Sequence, residues 1–133
     1  MTAVRRREYR VAGLPPAISH YTDAVAAGSL LFVSGVVSVD AGGRLVGGDD
    51  AAAQTRRIFE IMGAILAEAG CSFADVVRVT VYLTDVDDRT LINPVRQEVF
   101  GDTRPASTLV EVSRLAVAGA KVEIECVAAL PDA

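Results

Sequence analysis

Residues 76–85 read Val76-Val77-Arg78-Val79-Thr80-Val81-Tyr82-Leu83-Thr84-Asp85, and the fold turns on how this run is taken. Val77, Val79, Val81 and Leu83 alternate with Arg78, Thr80, Tyr82 and Thr84, the period of two that lays one face of a β-strand on a core. Upstream the period changes to that of a helix. Ala51, Ile58, Ile61, Met62, Ile65, Leu66 and Ala69 follow i, i+3, i+4, i+7 spacing, with Asp49 or Asp50 as N-cap and Gly70 as the residue that ends the helix. Farther upstream, residues 30–39 (LLFVSGVVSV) are apolar on both faces, which predicts a strand covered on both sides. The turn Asp40-Ala41-Gly42-Gly43 then leads into a short hairpin arm at Leu45 and Val46. An initial strand is expected over residues 6–11.

Downstream, Asn93 is expected to cap and Pro94 to open a second helix that ends near Phe100, with Val95, Val99 and Phe100 inward. A shorter turn over residues 87–92 precedes it. Residues 107–115 and 121–130 read as two further strands joined by the turn Ala118-Gly119. Strands meeting helices on one face of a mixed sheet make an α+β sandwich. No repeat, low-complexity tract or linker divides the 133 residues, so residues 1–133 are expected to form a single domain.

Composition narrows the function. A 51% hydrophobic and 23% charged chain is globular, neither disordered nor in need of a disulfide or metal staple. Its longest uncharged run, residues 24–39, is shorter than the roughly 20 apolar residues of a membrane span, and glycines and serines break it. The arginines of residues 1–10 are followed by no apolar secretory core, so the protein is expected to stay in the cytoplasm. A net charge of −4 opposes the phosphate attraction that dominates nucleic-acid binding, and Arg5, Arg6 and Arg7 read as a solvated edge of the first strand. Two cysteines, Cys71 and Cys126, with no C-x-x-C and a single histidine, give no metal signature. Both are expected to be reduced, buried, unpaired and uninvolved in catalysis.

Titratable groups in unusual surroundings are few. In Lys121-Val122-Glu123-Ile124-Glu125-Cys126 both acids share one strand face, pointing into water, a cleft or an interface, so a solvated face and a catalytic pair both remain open. His20 and Tyr21 follow Pro15-Pro16 in a loop, where site residues collect but where lone surface histidines are also common. The glycines form neither a Walker A nor a dinucleotide-binding pattern, and G-x-S-x-G is absent.

Across nearly its whole length the chain resembles the RidA family, also called YjgF-like. The matching segments are Ala17-Ile18-Ser19-His20-Tyr21 with Ala24-Val25, Leu31-Phe32-Val33-Ser34-Gly35, Gln54, and Glu68-Ala69-Gly70. They continue through residues 76–83 with Asp85, Asn93, Pro105-Ala106, Val110-Glu111-Val112 with Arg114-Leu115, and Val122-Glu123-Ile124-Glu125. The resemblance implies a chorismate-mutase-like α+β fold, a mixed sheet packed on two helices, assembled as a homotrimer with three clefts at the subunit interfaces. It implies no cofactor, and a small-molecule metabolite as ligand. The best-known members hydrolyse reactive enamines or imines, such as 2-aminoacrylate, to 2-oxo acids and ammonia. Carried over residue by residue, Glu123 matches the acid that positions the hydrolytic water, while Tyr21, His20, Gly35, Asn93, Ser107 and Leu109 match substrate-binding places.

The chain departs from the deaminase pattern where it matters most. Deaminases read P-A-R-S, whose arginine holds the substrate carboxylate as a bidentate fork; here Pro105-Ala106-Ser107-Thr108 offers a neutral hydroxyl. A carboxylate entering such a cleft loses a contact of about 1.5–3 kcal/mol. Val36 stands where S-G-Q is usual, His20 where a proline often precedes the tyrosine, and Leu109 in place of a frequent cysteine. Arg104 is poorly placed to substitute, since adjacent strand positions point to opposite faces. Tyr21, Asn93, Ser107 and Glu123 are therefore expected to converge on an interfacial pocket, with His20 at its rim, that prefers a neutral or weakly polar ligand. The expected function is a hydrolase or deaminase of a small imine, enamine or related metabolite with altered specificity. An inactive metabolite-binding or accessory protein and a specialised biosynthetic enzyme are the alternatives; acidity and the single histidine speak against ribonuclease activity.

Overall fold

The computed structural model describes residues 5–131. Its strands are β1 (Arg6–Tyr9), β2 (Ala24–Ala27), β3 (Leu30–Val37), β4 (Val76–Leu83), β5 (Ala106–Glu111) and β6 (Val122–Ala129), and its helices are α1 (Ala51–Glu68) and α2 (Arg89–Phe100). The six strands form one mixed sheet in the order β1-β2-β3-β6-β4-β5. Only β4 and β5 pair in parallel. They are joined through α2, while β3 reaches β4 through α1 with β6 inserted between them. Crossovers of this kind have one preferred hand, which puts both helices on the same face of the sheet.

That face is the core. From the sheet, Leu31, Val79, Val81, Leu83, Val122, Ile124 and Ala128 are fully or almost fully buried; α1 adds Ile58, Met62 and Leu66, and α2 adds Ile92 and Val95. Each such Val, Leu, Ile or Met side chain contributes roughly 1.5–3 kcal/mol relative to exposure. Phe59, Phe73 and Phe100 meet edge to face, with centroids 5.4–5.7 Å apart, where the two helices and the turn before β4 come together. Asp50 caps α1 by accepting from the backbone N–H groups of Ala52 and Ala53, and Gly70 follows the helix with φ at +77°, a conformation an L side chain resists.

Several expected features are corrected. The strand at residues 30–39 is covered by helix on one side only; Phe32, on the other, is 47% exposed. Val77 is exposed rather than inward, because a bulge between Val76 and Arg78 shifts the register and makes Val76 the buried residue. Asn93 is not a cap, nor does Pro94 open the helix: Asp85 caps a 3-10 turn at Val86–Asp88 that runs straight into α2, leaving both residues inside it. Pro94 then forfeits a single bond, the one to the Thr90 carbonyl. Strand β5 ends at Glu111, and it is not a hairpin partner of β6 because β4 lies between them. The expected arm at Leu45 is a single bridge to Val39. Strand β2, an Ala-rich segment unremarkable in sequence, is formed by pairing with β1 and β3.

Gln54, fully buried in α1, ties three loops together. Its Nε2 donates to the carbonyls of Gly48 (2.8 Å) and Gly119 (3.1 Å), and its Oε1 accepts from the Lys121 N–H (2.8 Å). These bonds anchor the start of β6, and so the position of Glu123, against the first turn of α1. Cys71 and Cys126 are buried free thiols, and burial pushes Cys126 up to about 12, which keeps it an inert thiol at neutral pH. Among the described residues no helix is long and apolar enough to cross a membrane.

Candidate functional site

Residues on neighbouring strands that face one another share a face of the sheet, so the ladders fix where each candidate points. Glu123 pairs with Tyr82 and lies on the open face, away from the helices. Ser107 pairs with Val79 and Leu109 with Val81, both core residues, so these two side chains lie on the helix face. Within one copy Ser107 and Glu123 are thus on opposite sides of the sheet, with Cα atoms on the order of 14 Å apart from strand rise and spacing. The candidates fall into two clusters.

The first cluster surrounds Glu123. A register shift between Val33 and Val36 lifts Ser34 and Gly35 out of the β3–β6 ladder. The Glu123 carboxylate occupies the space this opens: a Cβ built on Gly35 would lie 2.5 Å from Oε2. Glycine leaves room here for the carboxylate to sit in this position, and its backbone angles do not demand it. Tyr21, 48% exposed, closes the other side from the loop before β2, its hydroxyl accepting from the Ile18 N–H at 3.4 Å. Ser34 donates to the Thr22 carbonyl (2.6 Å), which ties that loop to β3. Together with Ser19 and Val117 these residues line an open groove of about 760 Å³, its mouth included.

The Glu123 carboxylate has no hydrogen-bond partner among the described residues. Burial raises its pKa above the ordinary glutamate value, and the nearby Glu125 adds to the effect. Glu125 itself accepts a short hydrogen bond from the Tyr82 hydroxyl. That bond pushes the Tyr82 pKa up, with burial adding to it. The two acids of β6 are therefore not equivalent: Glu125 is held by a tyrosine, and Glu123 is left without a hydrogen-bond partner among the described residues. His20 is exposed and lies outside the groove lining.

The second cluster sits at the sheet edge, where β5 is largely exposed. Asn93 is exposed on α2, and Arg96, one turn on, shares its helix face. The Arg96 guanidinium donates from Nη2 to Ser107 Oγ at 2.7 Å. Leu109 is partly buried against the core beside them. A cap at Asn93, as the sequence suggests, hides the i, i+3 relation to Arg96; the continuous helix supplies it. Arg104 makes no hydrogen bond or ion pair among the described residues, nor do these contain a group of His, Cys, Asp and Glu able to hold a metal ion.

Comparison with known proteins accounts for nearly the whole chain. The sequence model of the family described as Endoribonuclease L-PSP matches residues 12–130. A RutC family protein of Pyrococcus abyssi is 46% identical over 102 residues, 76% of this chain and 80% of that one. The human 2-iminobutanoate/2-iminopropanoate deaminase is 35% identical over 129 residues, 96% of this chain and 93% of its own. Among solved structures, RidA from an Antarctic Psychrobacter superimposes with a TM-score of 0.86 at 32% identity, covering 93% of this chain and 99% of that one.

Proposed function

The chain belongs to the Endoribonuclease L-PSP family, whose members include the RidA and YjgF proteins, and on that premise we propose that it hydrolyses a small imine or enamine in a cleft built between copies of a homotrimer. The observation that carries the reading is Glu123, a half-buried carboxylate without a hydrogen-bond partner among the described residues, seated over Gly35 in a groove that Tyr21 closes. Family relatives carrying the name of imine deaminases support the reaction class.

The chemistry asks little of the protein. An enamine first tautomerises to its imine. Water held by Glu123 attacks the imine carbon, a C–O bond forms, and the carboxylate takes the proton the water loses. That proton passes to the nitrogen to give a carbinolamine. Its hydroxyl then yields the second proton, again by way of Glu123, to the nitrogen; the C–N pair leaves with the nitrogen as the C=O bond forms, and the products are a carbonyl compound and ammonia. Glu123 must be ionised to accept the proton, and a raised pKa brings it nearer the pH at which it works. Because Glu123 and Ser107 face opposite sides of the sheet, a ligand can meet both clusters only if the edge cluster of one copy meets the open face of another. Trimer assembly supplies such a juxtaposition. Gly35, Tyr21 and Glu123 would then come from one side of the cleft, and Asn93, Ser107 and Leu109 from the other, with His20 beyond its rim.

Ser107, standing where deaminases carry an arginine, favours a second reading in which the cleft binds a metabolite without turning it over. Mixing the protein with freshly generated 2-aminoacrylate or other small 2-imino acids and following 2-oxo acid release separates the two. Release that is abolished by Glu123→Gln supports the hydrolase; no release above the uncatalysed rate, with 2-oxobutyrate still bound, supports the binding protein.

A further inference from the structure

We propose that Arg96 is the anion-holding residue of this protein, gripping the carboxylate of its ligand from helix α2 at the place where Ser107 leaves β5 without a cation. The inference rests on the cleft reading given above. It reverses the ligand preference that the serine alone implies: the favoured ligand is a small 2-oxo or 2-imino carboxylate rather than a neutral molecule.

Three features of the structure carry it. The first is contact, since Nη2 of Arg96 lies 2.7 Å from Ser107 Oγ. The serine hydroxyl accepts that bond, so its own proton stays free to donate to an oxygen placed beside the guanidinium. The second is charge. The ion pairs among the described residues use Arg6, Arg10, Arg57, Arg89 and Lys121, and none uses Arg96. Its guanidinium is half-buried, and burial lowers its pKa from the ordinary arginine value, as expected of a charge drawn from water with no acid beside it. A ligand carboxylate would supply the missing counter-ion. The third is valence: an arginine presents five N–H donors in a planar fork, and Ser107 takes one of them. The remainder suit a two-pronged grip on a carboxylate, with Asn93 one turn away on the same helix face to add a neutral contact.

The test is calorimetry of the full chain with 2-oxobutyrate and with its neutral amide, 2-oxobutanamide, for the natural protein, Arg96→Gln and Arg96→Lys. Arg96→Gln should weaken 2-oxobutyrate binding about tenfold or more and leave the amide within about twofold, on the scale of a lost charge-assisted contact. Arg96→Lys, which keeps the charge but loses the fork, should fall between. The natural protein should prefer the carboxylate to the amide, and that preference should shrink with added salt; this arm needs no variant and stands even if a substitution disturbs folding. An unchanged 2-oxobutyrate affinity in Arg96→Gln of normal assembly, or equal affinity of the natural protein for both ligands, overturns the proposal. If imine hydrolysis persists in the natural protein under either result, the hydrolase reading survives alone; if the natural protein neither binds 2-oxobutyrate nor hydrolyses imines, both fall.

Discussion

The Glu123 groove and the Arg96–Ser107 edge are built on the same sheet by different means. The groove is made by interior packing: Gln54 pins the start of β6, a register shift takes Ser34 and Gly35 out of the ladder, and a glycine leaves room for one carboxylate. Its geometry is complete within a single chain. The edge is an exposed strand and a helix flank joined by one side-chain bond, with a cation that makes no ion pair among the described residues. The contrast teaches where each half gets its order. The Glu123 carboxylate is set by the fold of one chain, whereas the Arg96 cation sits at an exposed edge without an ion pair among the described residues, where the proposed second copy and ligand would cover it.

The hardest test of that contrast is to keep the copies apart. Phe32 is 47% exposed on the open face, so Phe32→Asp should cost the chain about 1 kcal/mol or less in strand preference. It should nevertheless convert trimers to monomers in light scattering and abolish imine hydrolysis. A monomer that remains active would mean that the groove alone is the site. Within the assembled protein, Glu123→Gln should lower kcat by about a hundredfold or more while 2-oxobutyrate affinity stays near that of the natural protein, as for loss of a general base. In the natural protein the rate should fall as pH drops through the raised Glu123 pKa, and the residual rate of Glu123→Gln should lack that limb.

Gly35→Ala sharpens the account of the groove. The new Cβ meets the far end of a flexible side chain, so the carboxylate moves rather than the backbone, and roughly a tenfold loss of kcat should accompany little change in Tm. A large loss of stability instead would make Gly35 a folding residue. The smallest expected effect is on stability against pH. Glu123 holds its proton more tightly in the folded chain than in the unfolded one. Between the ordinary glutamate value of 4.5 and the raised folded value, the native state therefore binds more protons, and stability falls as pH rises through that window. Glu123→Gln should show a small rise in Tm above the window and none below it, measurable by thermal scans at acidic and neutral pH.

Particular residues show which signals were local. The cap at Asp50 and the stop at Gly70 were legible because each satisfies its own helix end with atoms a few residues away. The alternation of Val122, Ile124, Cys126 and Ala128 was legible because a single buried face imposes a period of two. Asn93 and Pro94 misled for the same reason: they form a good local start signal, overruled by the Asp85 turn that began the helix earlier. Val77 misled because one extra residue in a bulge inverts the face of everything before it. On the site, the β6 residues by themselves left Glu123 and Glu125 equal. The resemblance to a family singled out Glu123, and Arg96 carried no signal in one dimension.

Length, apolar periodicity and the family segments were enough to determine an α+β chain with a mixed sheet, two helices on one face and Glu123 as the acid to watch. The sheet and helices are properties of spacing, which a linear chain carries intact; Glu123 was singled out by the family resemblance. Tertiary structure alone decided that Tyr82 engages Glu125 and leaves Glu123 free, that Gly35 makes room for the free carboxylate, and that a guanidinium from α2 reaches Ser107 on β5. Each depends on side chains from separate elements meeting at a distance of a few ångströms, and that distance is set by how the whole core packs.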